Sequence, residues 1–417
     1  MLRPYGQRPT LRPSTVLKVA VGLSLVAACS GASDEIPTVA TTAPAVQAST
    51  PTAAPSETGT STSATGEVDT AESGPATVPD GPLAEVCPAT ITIQTTGEPG
   101  VGLGALYRLT GSDAAVEATK VSGSFSRPDG VVDDVLLEVR TGGPATGFRD
   151  AVTVASTDDA ITLVHTSISS ILEGHGRSPM VAVAALTDRS RQAILVDPST
   201  YPDVSDIAGV AAADIEIRHF TDSPAFEFLG TVGPLSGARM VDGFDGGPAA
   251  FVAAGGTIAQ QGDLLVDPGL FVSLPQWARP VTAIALSAAG WADHDDVLAV
   301  RADDRERLSD CLARVVPIVQ QAIVAYAEDP SPTNELIARA RAASDPLSRV
   351  TADLLDAGAA DSIALDVVGN GVDGTIGDID TARLGNFLPA LANALGTADA
   401  AVDDIADNRF IDPSVGF

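Results

Sequence analysis

Short runs in which apolar and polar residues alternate recur along most of the chain, separated by glycine-rich turns and by stretches with helical spacing. Residues 90–95 (Thr-Ile-Thr-Ile-Gln-Thr) have period two. Beyond the glycines of 97–102, Leu103, Leu106, Tyr107 and Thr110 share a helical face, which predicts a strand, a loop and a helix. The alternation continues with a strand at 131–140, a helix at 148–156, a strand at 161–166, a helix at 167–172 and a strand at 180–186. Within 214–220, Ile215 and Ile217 face one way and Asp214, Glu216 and Arg218 the other, a half-buried strand followed by a helix at 223–230. Strand, helix and strand follow at 239–244, 248–254 and 257–262, whereas Val116-Glu117-Ala118 reads as part of a helix. Repeated βα units predict an α/β fold of mostly parallel sheets flanked by helices. From 304 to 328, Leu308, Cys311, Leu312, Val315, Val316, Val319 and Ile323 form one apolar face with Pro317 as a kink. Ser331 then caps a further helix with Pro332 at its first position.

The first 86 residues follow neither pattern. Arg3, Arg8, Arg12 and Lys18 precede an apolar run at 19–28 that ends at Cys29. Spanning a bilayer takes about 20 residues, so this run suits a secretory signal rather than a membrane helix. The junction Val26-Ala27-Ala28-Cys29 resembles the bacterial lipobox, whose cysteine is acylated and becomes the mature N-terminus. Residues 1–28 are therefore expected to be a signal peptide and Cys29 a lipidation site, leaving the protein exported and anchored to the outer face of the bacterial cytoplasmic membrane. From 30 to 86 Ser, Thr, Ala, Pro and Gly dominate and Lys and Arg are absent. Such a stretch buries too little to offset its ordering entropy, so 29–86 reads as a lipidated N-terminus and disordered tether ahead of a folded unit at 87–417.

Charge narrows the function. The 24 Lys and Arg against 54 Asp and Glu give −30, which repels nucleic-acid phosphate and anionic lipid, so no nucleic-acid partner and no membrane contact beyond the anchor are expected. With Cys29 acylated, Cys87 and Cys311 remain, an even number in an oxidising compartment, and are expected to be joined; two separate buried thiols are the alternative. No G-x-S-x-G or H-E-x-x-H motif is present, and nothing links His165, His175, His219 or His294 to a nucleophile, so no catalytic residue, metal or cofactor is expected. Gly100-Val101-Gly102-Leu103-Gly104-Ala105 matches G-x-G-x-x-G/A without the acidic residue a dinucleotide site needs, which leaves a ligand-facing turn at a helix start or a plain turn. The late Gly369-Asn370-Gly371-Val372-Asp373-Gly374 reads as a turn. Asp293-His294-Asp295-Asp296 has metal-ligand residue types, but neighbours on an extended loop point apart, so a solvated acidic loop is expected.

Several blocks, taken together and in order, resemble the periplasmic-binding-protein-like lipoproteins that serve as substrate-binding components of ABC transporters, of the nitrate/sulfonate/taurine and thiamine-pyrimidine-precursor type. They include ITIQTTGEPGVGLGALYRLTG (91–111), LLEVRTGGPATGF (136–148), DAITL (159–163), ILVDPSTYPDV (194–204) and FDGGPAAFVAAGGTIAQQG (244–262). CLARVVPIVQQA (311–322), DVVGNGVDGTIG (366–377) and NRFIDPSVGF (408–417) complete the set. Relatives carry cysteines where Cys87 and Cys311 stand. The first ligand loop departs from the D-W-F-P-x-x-x-H-G type, reading Thr96-Gly97-Glu98-Pro99-Gly100-Val101-Gly102-Leu103-Gly104 and lacking an aromatic platform. Thr166-Ser167-Ile168-Ser169 likewise replaces a more acidic segment.

The resemblance implies a two-lobed periplasmic-binding-protein type II fold, with mostly parallel sheets, flanking helices and hinge crossover strands. Lobe one would take 87–190 and 290–417, and lobe two 191–289. A monomer would capture a small polar organic ligand between the lobes, without chemistry, and deliver it to an ABC permease with its cytoplasmic ATPase. The alternatives are a ligand-sensing lipoprotein and a pyrimidine-precursor-synthase-like enzyme on the same fold. Position at strand ends then nominates Thr95, Thr96, Gly97, Glu98, Gly142, Gly143, Thr166 and Ser167 in lobe one, and Phe220, Thr221, Asp222, Ser223, Asp245, Gly246 and Gln260 in lobe two. Arg140 is either an anion partner or a structural ion pair, and Phe220 either an aromatic face for the ligand or core packing.

Overall fold

The structure, a computed structural model, describes residues 81–417; the predicted signal peptide, Cys29 and the predicted tether up to residue 80 lie outside the described residues. Residues 81–86, assigned to the tether from composition, belong to the folded unit instead. Leu83 opens a 3-10 turn, is fully buried, and donates its N–H to Asp133 Oδ1 at 3.1 Å. This apolar anchor and buried acceptor, with Arg127 donating to Gly81 O at 3.0 Å and Arg314 to Pro82 O at 2.7 Å, order a segment whose composition is otherwise polar.

The first half runs β1 (Thr90–Thr95), α1 (Gly104–Arg108), β2 (Ala115–Glu117), β3 (Lys120–Ser126), β4 (Val132–Arg140), α2 (Ala151–Ala155), β5 (Leu163–Thr166), α3 (Ile168–Gly174) and β6 (Met180–Ala185). Val116 and Glu117, helical by local reading, lie in a hairpin where Val116 faces Val121 and Glu117 faces Lys120. Cross-strand pairing outweighs a weak local preference there. The chain then crosses at 186–191 into β7 (Gln192–Val196), α4 (Ile207–Ala212), β8 (Ile217–His219), α5 (Pro224–Thr231), β9 (Met240–Asp242), α6 (Ala249–Ala253), β10 (Ala259–Asp263), α7 (Asp267–Ser273) and β11 (Thr282–Ala285). It returns at 286–296 to β12 (Val297–Arg301) and ends in α8 (Ser309–Glu328), α9 (Ser331–Ser344), α10 (Ala352–Ala364), α11 (Thr381–Leu395) and α12 (Val402–Ile405). Pro317 sits inside α8, and Ser331 is the first residue of α9 rather than its cap.

The strand orders are β2-β3-β4-β1-β5-β12-β6 and β11-β7-β10-β8-β9. Setting the β2–β3 hairpin aside, both sheets repeat one plan: second, first and third strands of that half in parallel, then a reversed strand, then the fourth. The reversed strand is in each case the one that arrives directly from the other half: β12 runs antiparallel to β5 and β6, and β7 antiparallel to β10 and β11. This doubled order is the two-lobed α/β fold that the resemblance implies. It also fixes how the halves face. β6 leaves the first sheet at the carboxyl edge of its parallel strands, and β7 enters the second sheet at that sheet's carboxyl edge; β11 and β12 do the same in return. The two carboxyl edges therefore oppose each other across the crossings.

Two buried clusters, one on each side, run through both sheets. The first holds Ile91, Leu137 and Val139 with Leu195, Phe251 and much of α8; the second holds Val164 and Ala182 with Ile194, Ile217 and Phe226. In the second, Phe228 of α5, Trp291 of the return crossing and Phe387 of α11 stack at centroid distances of 5.2–5.7 Å. Cys87 and Cys311 are joined, as their count predicts, with Cα atoms 4.8 Å apart, tying the start of β1 to α8.

Candidate functional site

The carboxyl edge of the first sheet is closed by its own backbone. Thr95 Oγ1 donates to Gly97 O at 2.7 Å and Arg140 O at 3.0 Å and accepts from Gly142 N–H at 3.1 Å. Gly143 N–H donates to Thr96 O at 2.9 Å, and Thr96 Oγ1 donates to His165 O at 3.1 Å. A Cβ at Gly142 would run into the carbonyl oxygens of Thr95 and Thr96, so this approach requires glycine. The predicted Thr95, Thr96, Gly97, Gly142 and Gly143 thus come together, but as a staple between the ends of β1 and β4. Glu98 pairs with Arg341 of α9 at 3.1 Å, and Ser167 caps α3. Thr166 is buried, and its hydroxyl finds no partner.

In the second half Phe220, Thr221, Asp222 and Ser223 form the loop from β8 to α5. The Phe220 ring meets Phe244 at 4.8 Å, and its N–H donates to Gln261 Oε1 at 3.1 Å. Gln261, not the predicted Gln260, therefore reaches this loop; Gln260 is buried and its Oε1 is without a partner. Asp245 accepts from Gly247 N–H at 3.0 Å beside Gly246. Phe220 is 40% exposed and so is not core packing. Phe148, 72% exposed with φ +61°, lies on the first half's β4–α2 loop; the sequence reading missed it because nothing in its local pattern separates it from a packing residue. Arg140 is a structural pair, bound to Glu138 at 2.7 Å and Asp158 at 2.8 Å. The glycines of 100–105 open α1, and Gly104 abuts the Tyr326 ring of α8 with no room for a Cβ, so that glycine serves helix packing.

Between the edges lies a charged cluster that the sequence reading placed in solvent. Asp293, His294 and Asp296 are each no more than 1% exposed. They are not a solvated loop: the return crossing runs through the middle of the molecule. Asp296 takes His165 Nε2 at 2.9 Å on one oxygen and Arg191 Nε at 3.0 Å on the other, and Arg191 also binds Asp263 at the end of β10. Asp295 accepts from Ser190, from Gln192 Nε2 at 3.0 Å and from Trp291 Nε1 at 3.3 Å. Arg383 donates to His294 and to Asp188 O at 2.6 Å. Signals were present in three aspartates within four residues, just after a tryptophan, but their partners lie up to 131 residues away.

Environment sets the charges. Burial, then Asp295, pushes the Asp293 carboxyl well up, and burial with Asp296 raises Asp295. Burial alone would raise Asp296 too, but Arg191 and His165 hold it low. Burial and Arg383 push His294 down to about 3, keeping the imidazole neutral. Beside the cluster, burial and Asp263 push Asp267 up to about 7. The folded state then retains a proton that an unfolded carboxylate loses near pH 4, so Asp267 lowers stability as pH rises from about 4 to 7. His294 acts oppositely between about 3 and 6.5. Asp267→Asn should therefore raise the urea midpoint more at pH 7.5 than at pH 5; equal shifts at both would mean that Asp267 does not titrate in that window.

Among the described residues, two cavities measure about 210 and 350 Å³ with their open mouths, and each has room for about one water. One lies by Asp188, Gly369 and Asp378, the other by Gly102, Leu265 and Tyr326, and neither touches a predicted ligand-binding residue. Among the described residues no helix is long and apolar enough to cross a membrane.

No family model matches the chain, and no curated protein matches it significantly. Among solved structures it is similar to the periplasmic aliphatic sulphonate-binding protein SsuA of Escherichia coli, at 13% identity and TM-score 0.49, over 76% of this chain and 91% of that one. It is also similar to the alkanesulfonate-binding protein SsuA of Xanthomonas axonopodis pv. citri, at 12% and 0.47 over 77% and 99%, and to the nitrate-binding protein NrtA of Synechocystis, at 14% and 0.41 over 64% and 69%. Likenesses this distant carry no argument about ligand or partner; the strand order carries the fold.

Proposed function

We propose that the chain is an exported, lipid-anchored solute-binding protein. In this reading 87–190 with 290–417 forms one lobe and 191–289 the other, and the pair closes on a small polar organic molecule for delivery to an ABC permease. The opposition of two carboxyl edges carries the reading: open α/β sheets bind ligands outside those edges, and two facing edges joined by short crossings form a hinged cleft. In this reading a solute enters by rotation of the two lobes about the crossings at 186–191 and 286–296.

The test is a thermal-shift screen of the mature protein against amines, betaines, amino acids, nucleobases, thiamine precursors and sulfonates, with small-angle scattering on any hit. A solute at 100 times its Kd stabilises by about 2.7 kcal/mol, enough to move the melting temperature measurably. A saturable shift with a change in radius of gyration is expected. A panel that shifts nothing, with scattering unchanged, would overturn the solute-binding reading.

A further inference from the structure

His165 is the next-to-last residue of β5, at the carboxyl edge of the first sheet, and its side chain is 5% exposed. Leu163 of the same strand and Leu298, which faces His165 from β12, both belong to the first buried cluster, so the ring lies on that face of the sheet. Thr166 points to the other face, and its unpartnered hydroxyl has other surroundings. One ring nitrogen is fixed: Nε2 meets Asp296 Oδ1 at 2.9 Å. The other, Nδ1, is buried and has no partner. Buried polar atoms are nearly always hydrogen-bonded, so an open one at the edge where α/β sheets receive ligands calls for a physical reason.

The groups around the ring define the missing partner. Asp296 accepts from Arg191 Nε at 3.0 Å and from Thr187 Oγ1 at 3.4 Å through its second oxygen, and Arg191 also binds Asp263 of the second half. A carboxylate that serves a guanidinium as acceptor accepts from the imidazole too, which puts the ring proton on Nε2 and leaves Nδ1 a lone pair. A further N–H at Nδ1 would face no acceptor, and orphaned buried N–H groups are the rarer kind. The bond to Asp296 also keeps the ring from turning, so the lone pair is in place before any partner arrives. An opening lies close by. A Cβ on Gly102 would come within 2.9 Å of Asp296 Oδ2, and Gly102 and Thr187 both line the cavity of about 350 Å³. Leu265 of the second half lines it as well. The cavity therefore sits where the first half, the crossing at 186–191 and the second half meet, and two of its wall residues touch the carboxylate that holds His165.

We infer that His165 is a solute-binding residue whose Nδ1 accepts a hydrogen bond from an N–H or O–H of the solute, so that the site takes solutes carrying such a donor. This rests on the solute-binding reading and names the chemistry of its ligand. Two substitutions divide the two contacts of the ring. His165→Gln carries its amide to the place of Nε2 and can keep Asp296, but has nothing at Nδ1; His165→Asn reaches only as far as Nδ1 and loses Asp296. Thermal shift and titration calorimetry on the mature protein compare uracil, cytosine, glycine, proline and putrescine with their fully N-methylated forms, which keep the skeleton and lose the N–H. A long-range proton–nitrogen spectrum at pH 7.5 reads the ring nitrogens of the 4 histidines directly.

At least one parent compound is expected to raise the melting of wild type saturably while its methylated form does not, and the spectrum to show His165 protonated on Nε2 and not on Nδ1. The same compound should bind His165→Gln about ten- to a hundredfold more weakly, the effect of one hydrogen bond to a buried group, with the variant's own melting near wild type. His165→Asn should melt lower by itself and keep the compound's shift. A methylated form that binds wild type as well as its parent, or a folded Gln variant with wild-type affinity, overturns the inference and leaves the solute-binding reading standing. A proton on Nδ1 in the absence of solute overturns the inference alone. Should neither variant fold, the methylated pairs and the spectrum decide. If no compound shifts wild type and small-angle scattering stays unchanged, the solute-binding reading falls and the inference falls with it.

Discussion

Replacing Arg191 by Met should lower the stability of the protein by about 3–5 kcal/mol, the cost of stranding a buried charge. The guanidinium binds Asp296 through Nε and Asp263 through Nη1, so one side chain of the outgoing crossing fastens the return crossing and the end of β10. The carboxylate left behind is deep: the Asp296 side chain is 1% exposed, and after the substitution it keeps only His165 and a 3.4 Å contact from Thr187. Asp263, 23% exposed, is reached by water and contributes less. Arg191→Lys restores the charge without the planar fork that reaches two carboxylates at once, so it should recover only part of the loss. Urea unfolding measures both, and limited proteolysis should show new cleavage at 186–191 in the Met variant. A loss under about 1 kcal/mol would mean that the crossings are held by the aromatic stack of Phe228, Trp291 and Phe387 instead.

How far the sequence could be read follows the range of the interactions involved. Strands such as 90–95 and 180–186 declare themselves because burial of a parallel sheet imposes a period or a continuous apolar run within six residues. The β2–β3 hairpin did not, since Val116 and Glu117 become strand only through residues facing them across the turn. The edge loops were located correctly as strand ends, yet the work of Thr95 and Gly142 as a staple is visible only when β1 and β4 lie side by side. The widest miss was Asp293–Asp296. Asp293-His294-Asp295-Asp296 reads as solvated because neighbours on an extended loop point apart and an unpaired buried carboxylate is prohibitive. Their partners come from the outgoing crossing (Ser190 and Arg191), from β5 (His165) and from α3 (Ser169), and pattern alone does not join them.

Removing the Cys87–Cys311 bond should rank beside the loss of Arg191. The two residues are 224 apart in sequence, and the chain-entropy model gives on the order of 5 kcal/mol for a loop of that length, with losses of 2–5 kcal/mol typical when native bonds are deleted. The loss should begin at one end of the molecule. Cys87 lies directly ahead of β1, and the segment before it is held by Leu83 in the core, by Arg314 of α8 donating to Pro82 O at 2.7 Å, and by the disulfide. In the Cys87→Ser/Cys311→Ser variant the segment is left to the Leu83 side chain, its N–H bond to Asp133, and the bonds of Arg314 and Arg127 to Pro82 O and Gly81 O, which local opening at the edge of the folded unit readily defeats. Protease cleavage and amide exchange at 81–89 should therefore rise at urea concentrations well below the global midpoint. In the oxidised protein the two should coincide. Such a result gives the bond a mechanical sense: whatever pulls on the chain ahead of residue 81 is passed to the long helix α8 rather than to the edge of β1. Coincident transitions in the variant would instead make the bond a constraint on the unfolded chain alone.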